Sequence, residues 1–310
     1  MSTPPHPTQP NRSGDFMTNP TDEPDPVPPV DLVDHVLRVN GLGKLFGKLT
    51  GAAIEGTGPE RGTAKHAATN TVVAAWDVSF DVSPGEAIGL IGESGSGKST
   101  VMRCLAGDLE PTCGVATMRR RDGSIADLFE MTAAERRALR VSDLSIVYQD
   151  PAEGLDLSIT AGGNIAEPLA AVGFRHFGEI RERAASLLER TEVPIGRMDD
   201  LVREFSGGMR QRVQLAKALA NQPVFVLFDE PTTGLDASVA AGVLDLIRDL
   251  LDELGIAAVV VSHDFGVIDM LTTRCLVMHH GRVVEQGLTD QLFEDPIHPY
   301  SQRLVAAARA

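Results

Sequence analysis

Three short apolar runs punctuate the chain, at residues 87–91, 224–228 and 256–261, each bounded by turn residues and too short for a helix. Runs of this kind read as strands buried on both faces, as in a parallel sheet. Between the last two, Val239, Val243, Leu246, Ile247, Leu250 and Leu254 recur at helical spacing over residues 237–254, and Gly255 follows as a stop. Strand, helix and strand at this spacing predict a parallel βαβ unit. The run at 87–91 passes through a Gly-rich loop into a helical stretch at 100–106, and residues 179–192 carry Ile180, Ala184, Leu187 and Leu188 on one helical face. That helix belongs to a mostly helical block over 150–214. Nearer the start, Val36 to Val39 alternates like a half-buried strand, and order resumes at residues 72–80. Between them, residues 47–71 hold five glycines and almost no large apolar side chain, so a flexible insertion is expected there.

Composition narrows the setting. Of 310 residues, 43% are hydrophobic and 23% charged, an ordinary globular balance, and the net charge is −15 with 28 basic side chains against 43 acidic. Such a surface argues against direct nucleic-acid binding. The longest apolar run is far below the roughly 20 residues of a bilayer span. Three cysteines without a Cys-x-x-Cys pair suit a reducing, cytoplasmic compartment. Nine of the nineteen prolines fall in the first 30 residues among acidic ones, so residues 1–31 are expected to be a disordered tail and residues 32–310 the folded domain.

Chemistry concentrates at three places. Gly92-Glu93-Ser94-Gly95-Ser96-Gly97-Lys98-Ser99, followed by Thr100, fits G-x-x-x-x-G-K-[ST] between a buried strand and a helix. Small residues there let backbone N–H groups close around phosphate oxygens, Lys98 reaches the β- and γ-phosphates, and the Ser99 hydroxyl can ligate Mg²⁺. Asp229 and Glu230 end the run at 224–228, where open parallel sheets bind ligands. The pair fits an Mg²⁺-orienting carboxylate beside a water-activating one, and equally a solvated helix start. Ser206, Gly207 and Gly208 open another helix, either as an N-cap with flexible glycines or as a second anion site.

Together these motifs resemble those of the ATP-binding cassette superfamily, over residues 36–307. The resemblance implies an α/β fold: a P-loop nucleotide-binding domain with a RecA-like core, an antiparallel β subdomain and an α-helical subdomain. It also implies ATP and Mg²⁺ as ligands, and ATP hydrolysis by two cassettes closed head to tail. It places Ser206, Gly207 and Gly208 in the signature loop, Gln149 as the Q-loop residue on Mg²⁺ or water, Leu235-Asp236 as the D-loop, His263 as the switch histidine, and Phe46 as the aromatic stacked on adenine. Catalysis would then rest on Glu230, His263, Gln149 and Lys98. The signature reads Phe-Ser-Gly-Gly-Met, with Met209 where the superfamily commonly has glutamine.

Residues 293–300 look like the end of the cassette in oligopeptide, dipeptide and nickel importers, which would make a membrane permease the partner. Residues 161–165, 175–181, 197–201 and 205–209 instead resemble the ATP-binding subunits of phosphonate carbon–phosphorus lyase systems, Met209 included. That resemblance implies docking on a soluble lyase complex during phosphonate breakdown, and it is the favoured expectation.

Overall fold

β1 (Leu37–Phe46) opens the part of the chain described by this computed structural model, residues 35–309. The predicted tail, residues 1–31, lies outside the described residues. α1 (Gly51–Glu55), β2 (Lys65–His66) and β3 (Thr71–Val82) follow, then β4 (Ala87–Ile91), α2 (Lys98–Leu105), β5 (Cys113–Arg119), β6 (Ile125–Asp127), α3 (Ala133–Ser142) and β7 (Leu144–Val147). A helical block comprises α4 (Pro151–Gly154), α5 (Ala161–Ala171), α6 (Phe177–Arg190) and α7 (Gly207–Leu219). The chain then alternates through β8 (Phe225–Asp229), α8 (Ala237–Leu254), β9 (Ala257–Ser262), α9 (Phe265–Leu271) and β10 (Arg274–His279). β11 (Arg282–Leu288), α10 (Thr289–Glu294) and α11 (Pro299–Ala308) complete it.

Two sheets result. One is antiparallel, in the order β2-β3-β1-β5-β6; the other runs β11-β10-β4-β9-β8-β7, parallel except for the β11 edge. The apolar runs are continuous because successive residues serve opposite cores. Ile88 and Leu90 of β4, Phe225 and Leu227 of β8, and Val259 and Val261 of β9 face the antiparallel sheet and α2. Ile91, Val226, Phe228, Ala258 and Val260 face the helical side with α7, α8 and α9. α8 starts where Asp236 accepts the Val239 N–H at 3.1 Å and stops where Gly255 turns left-handed.

The segment 47–71, expected as a flexible insertion, carries short elements of its own, α1 and β2. Thr50 caps α1 by accepting the Ala53 N–H, Thr57 Oγ1 donates to the Ala53 carbonyl at 2.8 Å, and Lys65 and His66 pair with Val72 and Thr71 of β3. Order here comes from threonine hydrogen bonds and the buried small side chain of Ala53, which an apolar pattern does not register.

Glu86, in the turn before β4, joins the sheet to β10. Its carboxylate accepts from Arg274 Nε at 2.6 Å and from the Ser83 N–H at 2.8 Å, while Arg274 also donates to the Asp81 carbonyl. Burial alone would raise the Glu86 pKa, but the Arg274 and Ser83 hydrogen bonds outweigh it and hold the carboxyl below its usual range. Stability from a lowered carboxyl pKa is present above the unfolded value and lost as pH falls through the folded one. Glu86→Gln should therefore cost about 1–2 kcal/mol near neutral pH and much less near pH ~3, checked by denaturant unfolding at both.

Candidate functional site

The loop 92–99 leaves β4 and closes into α2, and its shape depends on glycine. A Cβ on Gly97, at φ +114°, would stand 2.2 Å from the Ala74 carbonyl oxygen, and one on Gly92 would stand 2.3 Å from that of Met278. The backbone thus packs against β3 and β10 with no room for a side chain, leaving its amides to form a cradle. Lys98 is buried, and its ammonium donates to the loop's own carbonyls, Gly92 at 2.6 Å and Glu93 at 3.1 Å. Burial lowers its pKa, opposed by the charges of Glu230, Asp229 and Glu93. A buried cation satisfied only by two carbonyls is suited to receive polyphosphate.

Asp229 and Glu230 stand at the C-terminal end of β8. Burial, reinforced by the neighbouring Glu230 charge, raises the Asp229 pKa, so a cation placed there would relieve both. Glu230 has φ +47°, and its N–H donates to the Val261 carbonyl at 2.8 Å. Its carboxylate lies 2.8 Å from His263 Nδ1 and accepts from Ser262 Oγ and Thr233 Oγ1, both at 3.3 Å. An ionised carboxylate only accepts, so Nδ1 is the donor in this pair whenever Glu230 is charged. Its partners on β9 and on the loop after β8 hold Glu230 in one orientation.

Lys98, Glu230 and His263 share one open cleft of about 860 Å³, whose lining does not include Asp229. Its lining includes Phe46, Ala64, Val72 and Ala74, and Gly92 to Gly95, Gly97, Lys98, Ser99 and Thr100 of the loop and α2. Gln149, Glu230 and His263 line it further along, and Leu304 of α11 closes a margin. Ser96 is buried beneath the loop, its Oγ without a partner.

The signature residues are elsewhere. Ser206 caps α7 by accepting the Met209 N–H at 3.3 Å, and a Cβ on Gly208 would meet Val239 of α8 at 2.4 Å. Asp236 spends its carboxylate capping α8. None of Ser206, Gly207, Gly208 and Asp236 lines the cleft. Arg197 lies 4.3 Å over the Phe205 ring, bonds Asp200 through Nε, and brings Nη1 to 3.5 Å from the Met209 sulfur. The Ser206 hydroxyl needs only the backbone N–H of position 209, which any side chain there leaves in place. Met209→Gln should therefore shift steady-state ATP hydrolysis by no more than about threefold, read by phosphate release; a loss near that of removing an oxyanion donor, about 10²-fold, would give position 209 a direct role.

A family model described as ABC transporter matches residues 76–233. The chain belongs to this ATP-binding cassette family. It is 48% identical over 231 residues, 74% of the chain and 90% of the relative, to PhnK of Escherichia coli (strain K12), named as a phosphonates utilization ATP-binding protein. It is 39% identical over 249 residues, 80% of the chain and 77% of the relative, to a protein of Brucella ovis named for peptide import. A dimeric post-hydrolysis structure of the ATP-binding cassette MJ0796 with ADP and Pi superposes at TM-score 0.66 and 26% identity, covering 82% of this chain and 98% of that one. CbiO1 of Clostridium perfringens, part of the transporter complex cbiONQ, matches at 0.66 and 26%, covering 84% of this chain and 92% of that one. This cassette is thus an ATPase subunit with the α/β architecture of the family.

Several participants carried no sequence signal of their own. Ala64 lies in the supposed insertion, Ser262 and Thr233 are unremarkable hydroxyls, and Leu304 and Tyr300 come from the last helix. Tyr300 Oη accepts the Glu93 N–H of the loop at 3.0 Å.

Proposed function

We propose that this cassette closes head to tail with a second one around two ATP molecules, and that the pair docks on a soluble carbon–phosphorus lyase complex in the cytoplasm during phosphonate breakdown. The dimer reading rests on one observation: the cleft holds the P-loop, Glu230 and His263, while the Ser206–Gly208 helix start lies outside it. A second chain is the simplest way to bring both onto one γ-phosphate. Dimeric MJ0796 supports this by likeness. In that assembly Phe46 stacks on adenine, Lys98 and the loop amides hold the β- and γ-phosphates, Glu230 orients the attacking water, and His263 steadies Glu230. The partner's signature loop completes the phosphate shell, beside the Asp236 loop.

Ser99, Gln149 and Asp229 fit Mg²⁺, since they are hard oxygen donors and burial, with the Glu230 charge beside it, disfavours an uncompensated Asp229 carboxylate. No group of three or more His, Cys, Asp or Glu among the described residues forms a metal cage alone, which suits an ion shared with phosphates. Bound there, Mg²⁺ would offset the charge developing on the transferred phosphoryl group.

The lyase partner is favoured by the 48% identity to PhnK against 39% to the peptide-import relative. The importer reading is the alternative, and no helix among the described residues is long and apolar enough to cross a membrane, so that reading needs a separate permease. Tagged full-length protein purified from cells grown with a phosphonate as phosphorus source should carry lyase subunits and hydrolyse ATP faster with them. Recovery of permease subunits instead would sink the lyase assignment.

A further inference from the structure

The last helix reaches back to the nucleotide loop. Glu285 of β11 accepts the Ile297 and His298 N–H groups at 2.8 and 2.9 Å, and His298 Nδ1 accepts the Tyr300 N–H at 3.1 Å, so the start of α11 is fixed to the β10–β11 hairpin. Tyr300 is 3% exposed and stacks on His279, the last residue of β10, with centroids 3.7 Å apart and planes 20° apart. β10 pairs with β4, which carries the loop. The next turn, His280–Gly281, donates the Gly281 N–H to the Ser96 carbonyl at 2.9 Å. The hairpin and α11 therefore grip the loop at two points, Ser96 and Glu93.

We infer that Tyr300 is a positioning residue for nucleotide binding: its hydroxyl, by accepting the Glu93 N–H, holds the first half of the loop in its phosphate-accepting shape when Lys98 is drawn away. Glu93 is pinned on both sides. Its N–H goes to Tyr300 and its carbonyl to the Lys98 ammonium. Incoming phosphates compete for Lys98, so the carbonyl pin is released on binding. Tyr300 itself is not among the cleft-lining residues, so phosphates entering the cleft do not compete for its hydroxyl. It also commits one loop amide away from the phosphates, leaving the amides nearer α2 to bind them. This inference rests on the reading that loop 92–99 holds the nucleotide.

Tyr300→Phe keeps the buried ring and its stack and removes only the acceptor. The dissociation constants of Mg·ATP and Mg·ADP should both rise about fivefold, the worth of one ordinary hydrogen bond, while kcat at saturating ATP stays within about twofold. Amide exchange over residues 92–98 should quicken in the nucleotide-free protein, with residues 257–262 unchanged. Unaltered affinity and exchange would reduce Tyr300 to packing and overturn the inference, as would a fall in kcat with affinity intact. Wild-type protein that fails to bind ATP would instead overturn the reading of the loop itself.

Discussion

Glu230→Gln should leave ATP bound and reduce steady-state hydrolysis by about 10²–10⁴-fold, the usual worth of a positioned general base. The amide has the same size, and its oxygen can still accept from His263 Nδ1 and Ser262 Oγ, so the neighbouring geometry is retained. The Glu230 N–H to Val261 also survives, because it belongs to the backbone. What disappears is a proton-accepting anion facing the cleft. The loss corresponds to roughly 3–5 kcal/mol of barrier, with little change in ground-state binding, which is proposed to rest with the loop and Lys98. Removing a negative charge near the γ-phosphate should even favour the bound state and let the closed dimer accumulate. Phosphate release, retained nucleotide and the oligomeric state by gel filtration measure the three effects. Hydrolysis at the wild-type rate would remove Glu230 from the role of base.

Much of this architecture was legible because burial leaves periodic traces. The runs 87–91, 224–228 and 256–261 became β4, β8 and β9 within a residue at either end, since a strand enclosed on both faces needs apolar side chains at every position. Helix 237–254 was readable because its apolar positions recur at helical spacing and Gly255 stops it; the structure adds the Asp236 cap at its start. The P-loop was legible for a different reason: a phosphate cradle is built from consecutive backbone amides, so the residues proposed to form it are contiguous. Gln149, Glu230 and His263 each follow a separate strand, and only the sheet order, with β4 and β8 flanking β9, carries two of them to the cleft edge. Tyr300 meets Glu93 across 207 positions, and nothing local to either predicts it. Arg197 over Phe205 is likewise a product of two short turns folding together. The short elements inside segment 47–71 left no trace in the apolar pattern because hydrogen bonds hold them.

The widest separation between binding and turnover should come from Gly208→Val. Its Cβ would lie 2.4 Å from Val239 Cγ1, a distance no pair of carbons tolerates. Val239 is β-branched and half-buried, sits in the first turn of α8 and packs against the helical-side core, so its rotation is restricted. The start of α7 must shift away from α8, at a cost of about 1–3 kcal/mol in stability, and Ser206 with the first α7 amides shifts with it. If those groups complete the phosphate shell of the other cassette, hydrolysis should fall by about 10²–10³-fold, the range for a displaced oxyanion donor. ATP affinity should stay within about threefold, since no residue from 206 to 209 lines this chain's cleft. Introducing Val239→Ala alongside a milder Gly208→Ala should restore much of the rate, because it vacates the space the new methyl needs. Equilibrium ATP binding and phosphate release on the same preparations decide the matter. A matched loss of affinity would put the signature loop in its own chain's site, and the head-to-tail pairing would no longer be needed to explain the geometry.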